Sequence, residues 1–177
     1  FREMGTPGCA TCHENHAIQE AGDEMLGLGD KAVCASCHSA SDQAGKSAAE
    51  MRALIDSLRN ESDKARVILL QAEQAGMEVS QAQFDLNGAR NDLIKARAAV
   101  HAFKVDAVKQ AVEPGLAVSA KAQVRGLRAL EELGFRRKGL AVSLVVIFAL
   151  IAGLVVKIRQ LERRRESRPR AEEASHD

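Results

Sequence analysis

A chain of 177 residues with 46% apolar side chains has room for one domain plus appendages. Its aromatics are five Phe with no Trp or Tyr, and much of the apolar content is alanine, which argues against a thick sandwich or barrel core and for thin helical packing. A net charge of +1, with no basic stripe interleaved with aromatics, gives no basis for a nucleic-acid partner.

Residues 1–45 are rich in Gly, Cys, His and small polar side chains, without a helical or alternating period, and read as a loop-rich head organised by something other than an apolar core. The head contains Cys9-Ala10-Thr11-Cys12-His13 and Cys34-Ala35-Ser36-Cys37-His38. Both match the attachment pattern of c-type haem. Two thiols add across the two vinyl groups of one porphyrin, and the adjacent His is delivered to the iron as proximal ligand. A four-cysteine zinc site and a pair of disulfides are the competing readings, since twenty-one residues separate the two Cys-x-x-Cys pairs. Neither accounts for a His directly after the second Cys in both motifs. The expected cofactors are therefore two haem c, attached through Cys9, Cys12, Cys34 and Cys37, with His13 and His38 as axial ligands.

Residues 46–113 are almost free of helix breakers. Met51, Leu58, Ala65, Ala72, Val79, Leu86, Leu93, Val100 and Ala107 form an apolar seven-residue repeat. Leu54, Glu61, Ile68, Ala75, Ala82, Ala89, Ala96, Phe103 and Gln110 follow three residues behind, mostly apolar and largely alanine, so a coiled-coil seam of small residues is predicted. Gly76 and Asn87-Gly88 are candidate turns. The unbroken repeat argues for one helix, and a ligand argument below favours a hairpin turning near Gly76. Glu113-Pro114-Gly115 predicts a break, with a third stalk helix over 114–138.

From Gly139 to Val156 eighteen residues carry no charge, about 27 Å of helix at about 1.5 Å per residue. That suits a single transmembrane helix over 139–157. Arg136, Arg137 and Lys138 precede it, whereas Lys157, Arg159, Arg163, Arg164, Arg165, Arg168 and Arg170 follow it. The larger basic cluster predicts a cytoplasmic C-terminal tail, 158–177, and an external N-terminal part. The expected location is the bacterial inner membrane, with the haem head periplasmic. The chain starts at Phe1 without a signal-type segment, so any secretory signal is expected to be removed or to lie upstream, where further haems would also lie.

The segment from Gly8 to His38 resembles the small multihaem cytochromes c of the class III and doubled-CxxCH kind. Cys9 to His16 follows their CxxCHxxH pattern, in which the later His commonly serves a neighbouring haem. The resemblance implies low-potential, electron-transferring haems with two His ligands each.

Two such haems need four histidines, and the chain ahead of the tail has His13, His16, His38 and His101. His13 and His16 are too close in sequence to span one iron, which directs His16 to the second haem or an upstream one and leaves His101 for the remaining position. A turn at Gly76 sets His101 opposite Met51, just below the second motif. A continuous helix would leave the two about 75 Å apart. Met4, Met25 and Met51 are rival ligands that would raise the potential, though packing is the commoner use of a lone Met.

The fold expected is all-α: a loop-rich dihaem head, a long antiparallel helical hairpin or coiled-coil stalk, and one C-terminal transmembrane helix. The third stalk helix, about 37 Å long, would raise the haems above the membrane and disfavour direct quinol oxidation. The expected function is electron relay without an independent catalytic site, since no acid/base pair, nucleophile or phosphate loop is present. Expected partners are other cytochromes or subunits of a redox complex, with self-association through the stalk as a further contact. A haem-based transmembrane sensor and a quinol-dehydrogenase subunit feeding a periplasmic reductase are the alternatives. The short tail leaves no space for a sensor output domain.

Overall fold

The structure, a computed structural model, describes residues 8–18 and 20–167; Met4, Arg168, Arg170 and His176 lie outside the described residues. The described residues are 82% helical, and no strand occurs among them. It divides into two units, Phe1–Leu130 and Glu131–Asp177.

In the first unit a single turn, α1 (Cys9–His13), and two 3₁₀ turns, Asp23–Met25 and Val33–Ser36, form the head. Helix α2 (Gln43–Gln74) follows. It begins where Asp42 caps it, the carboxylate accepting the Gly45 N–H at 2.7 Å and so satisfying one of the donors a helix start leaves open. It ends at Gly76, whose φ of 81° is a left-handed conformation that glycine adopts without a Cβ penalty. Helix α3 (Ser80–Ala99) then runs back along α2, with Gln83 donating to Glu73 across the turn at 2.9 Å. Asn87 and Gly88 are helical.

The next break differs from the expectation. A 3₁₀ turn, Val100–Ala102, and Phe103 in the left-handed region (φ 52°) end α3, and helix α4 (Val105–Ser167) passes through Pro114. The break therefore falls about ten residues before the 113/114 boundary read from Glu113-Pro114-Gly115. A proline inside a helix costs about 3 kcal/mol. Pro114 is exposed, and Val112, Gly115 and Ser119 beside it are buried, so packing on that face offsets the cost.

The core is a narrow bundle of α2, α3 and the first part of α4. On α2 the buried stripe is Met51, Ile55, Leu58, Ala65, Leu69 and Ala72. The second row thus lies four residues behind the first, at Ile55 and Leu69, and the expected Leu54 and Ile68 are only half-buried. On α4, Val108, Val112, Ser119, Ala122 and Ala129 follow the same alternation of four and three. A polar layer fixes the register of α2 against α4: the Ser62 and Ser119 hydroxyls lie 2.9 Å apart, and Gln123 Nε2 donates to Glu61 Oε2 at 2.8 Å. Met51 is committed to this packing, being 3% exposed.

The second unit, taken by itself, is helical through residue 167. It holds the uncharged run, and the helix containing it is long and apolar enough to cross a membrane, with none of that stretch buried.

Candidate haem-binding site

Each Cys-x-x-Cys-His motif is wound into one short turn. In the first, the α1 turn is closed by Thr11 N–H to Gly8 O at 3.0 Å and Glu14 N–H to Ala10 O at 3.1 Å. In the second, Cys37 N–H donates to Cys34 O at 3.2 Å and His38 N–H to the same carbonyl at 2.9 Å. Helical winding sets residues three apart on one face, so the two thiols of each motif are presented together with the imidazole immediately after them. Glu14 takes φ 61° directly after His13, a region costly for any residue with a side chain, and turns the chain away from the ligand.

All four cysteines are free thiols; Cys9 and Cys37 are exposed, and Cys12 and Cys34 are half-buried. Burial pushes the Cys12 thiol up from its ordinary value, and Cys34, Cys37 and Cys9 add to the rise. Among the described residues no group of three or more His, Cys, Asp or Glu is arranged to hold a single metal ion. The thiols are thus not gathered as a four-thiolate centre. Pairs of thiols with an adjacent imidazole fit the donor set that a covalently bound haem requires.

The four expected ligands sit in different surroundings. The His13 ring lies beside that of His101, centroid to centroid 6.1 Å with planes inclined by 21°. His101 thus neighbours the first motif, whereas helix arithmetic had set it below the second. His38 Nδ1 lies 3.3 Å from Asp42 Oδ1. His16 is exposed, its Nδ1 2.9 Å from Asn15 Oδ1, and no contact joins it to either motif's His among the described residues.

Three positioning residues escaped sequence reasoning. Asp42 joins the second motif to the start of α2: beside His38, it accepts from Ser39 N–H and from Gly45 N–H, each at 2.7 Å. Those two backbone donors, more than the His38 charge, hold its carboxyl down to about 2. Its signal was available as an Asp directly ahead of a breaker-free helix. Gly45 is the second; a Cβ there would fall 2.0 Å from the Ser39 carbonyl oxygen. Alanine in a helix normally gains about 1 kcal/mol over glycine, but overpacking against an atom that cannot yield costs about 1–3 kcal/mol. Gly45→Ala is therefore expected to lower the thermal midpoint; a raised midpoint would show that the segment after His38 is free to move.

Asp23 is the third. Its side chain is 3% exposed and takes a two-pronged bond from Arg97, Nε to Oδ1 and Nη2 to Oδ2, each 2.7 Å. Arg59 Nη1 donates to Oδ2 at 3.2 Å, and Arg52 donates to the Asp23 carbonyl. The head is thereby tied to α2 and to the last turn of α3. No local pattern marks such a residue, because its partners lie 36 and 74 positions away.

The site is a c-type attachment head held on a helical scaffold. Residues 3–43 match the family model for the doubled CXXCH motif, which places this segment with the multihaem c-type cytochromes. No curated protein and no solved structure matches the chain.

Proposed function

We propose that the chain is a membrane-anchored dihaem c-type cytochrome that relays electrons on the periplasmic side of a bacterial inner membrane, as a subunit or partner of a larger redox complex. The observation that carries this reading is the pair of Cys-x-x-Cys-His turns in one head, each presenting two free thiols and the imidazole that follows them. Cys9 and Cys12 would hold one haem and Cys34 and Cys37 the other, with His13 and His38 as proximal ligands. A haem so bound supplies an iron that cycles between ferric and ferrous, one electron at a time. The chain's own contribution is positioning: Asp42 restrains the His38 imidazole from behind, as carboxylates do for metal-bound histidines. The Asp23 network keeps the head seated on the bundle.

Redox titration of the purified full chain, followed by absorption, tests the reading. Two low-potential haems that bind neither CO nor NO are expected. A five-coordinate haem that takes up either gas would overturn electron relay in favour of gas sensing.

A further inference from the structure

His101 stands where two unrelated features of the fold meet. The first is the joint between α3 and α4, where the backbone leaves α-helical winding for a 3₁₀ turn and then the left-handed Phe103. The second is the head, which reaches this joint through α1. Two exposed or half-exposed histidines gain little from touching each other, and 6.1 Å is towards the wide end of the range for packed aromatic rings, about 4.5–7 Å.

The separation has another meaning. A metal–imidazole bond is about 2.0–2.1 Å, and the ring centre lies about 1.1 Å further on, so two imidazoles on opposite sides of one metal have centres about 6.2 Å apart. The observed 6.1 Å is a separation of that size; the rings are a stacked pair with planes inclined by 21°, so taking up an iron requires each to turn its Nε2 edge inward.

The hydrogen bonding agrees. His101 Nδ1 lies 3.1 Å from the Ala98 carbonyl oxygen. A carbonyl only accepts, so Nδ1 carries the proton and donates it, which leaves Nε2 with its lone pair free. This is the tautomer and the backing contact that a metal-bound histidine uses. Arg97, one turn earlier, is locked onto Asp23 of the head by its two 2.7 Å bonds. Head and joint are therefore already registered against each other where the two rings face. His16 shows no such backing from another element, its contact being with the adjacent Asn15.

We propose that His13 and His101 are the two axial ligands of the haem carried by Cys9 and Cys12. That haem then ties the N-terminal head to the α3–α4 joint. This rests on the haem-attachment reading above and adds which histidine serves which haem.

The test uses the full chain carrying one haem at a time. Cys34→Ala/Cys37→Ala keeps only the first site, and Cys9→Ala/Cys12→Ala only the second; each is compared with and without His101→Ala. Covalent haem is counted by intact mass, spin state is read by electron paramagnetic resonance, and folding by circular dichroism. In the first-site chain the ferric haem is expected to change from low to high spin on His101→Ala while staying attached, and to return to low spin when free imidazole is added. The second-site chain is expected to be unaffected.

His101→Met, which keeps the bulk, is expected to raise the potential of the first haem alone, because a thioether ligand favours the ferrous state. A first-site haem that stays low-spin without His101, a response confined to the second-site chain, or an unchanged potential in His101→Met would each overturn the assignment and leave the haem reading standing. Absence of covalent haem from the unsubstituted chain would overturn both.

Discussion

Asp23→Ala is expected to cost about 2–4 kcal/mol, concentrated in the docking of the head on the bundle. The magnitude follows from what is left behind. Asp23 is buried, and its removal strips two guanidinium groups of their anion. Breaking a buried pair from one side costs about 3–5 kcal/mol. Arg59 and Arg97 retain 44% and 47% exposure, so water recovers part of the loss and shifts the expected cost about 1 kcal/mol below that range.

The pH dependence has a definite sign. The Arg97 hydrogen bonds hold the Asp23 carboxyl below its ordinary value against an opposing push from burial, and the Arg97, Arg59 and Arg52 charges act in the same direction as those bonds. A carboxyl with a lowered folded value stabilises fully above the ordinary carboxylate range and loses that contribution as pH falls through the folded value. Asp23→Ala should therefore differ from the unsubstituted chain by a constant amount between about pH 5 and 8, and the two should converge in strong acid. Hydrogen exchange over residues 20–42 measures it. Equal exchange in both proteins at neutral pH would mean that the head is seated by something other than Asp23.

A second large effect is expected in the other unit. Twelve large apolar side chains along the helix from Leu140 to Val156 are exposed, Val145 by 69% and Phe148 by 66%. Leaving such side chains in water rather than burying them costs about 1.5–3 kcal/mol each, on the order of 20 kcal/mol for the set. Lipid is the solvent that removes this cost, since a helix satisfies its own backbone groups. Val146→Arg together with Ile147→Arg places two charges at mid-helix, each about 2.5–3.5 kcal/mol unfavourable for insertion, and also forfeits two favourable residues. The double variant is expected to move from the membrane fraction to an alkali-extractable or aggregated one, whereas Val146→Leu stays. Full membrane retention of the double arginine variant would count against a spanning helix.

The parts legible in the sequence are those whose chemistry is local. Two cysteines and a histidine within five residues announce themselves wherever they occur, and Gly76 is readable because a left-handed turn residue favours glycine. The α3–α4 joint was not readable. Phe103 adopts a left-handed conformation without Gly, Asn or Pro to mark it, while the conspicuous Pro114 is absorbed into a helix whose buried face outweighs the lost bond. On α2 the heptad spacing was visible, but which flanking row turns inward depended on helices not yet placed. Asp23 and Asp42 act through partners set by folding, and His101 reached the first motif because loop geometry, not helix length, decides which turn of the head lies over the joint.

The central claim, that this chain carries two covalently attached haems, is tested most directly by intact mass of the mature full-length protein after alkylation of free thiols. The expected mass is that of the polypeptide plus two haems, with Cys9, Cys12, Cys34 and Cys37 all resistant to alkylation because each forms a thioether. A polypeptide mass with four alkylated cysteines, or with a zinc ion lost on denaturation, would contradict it.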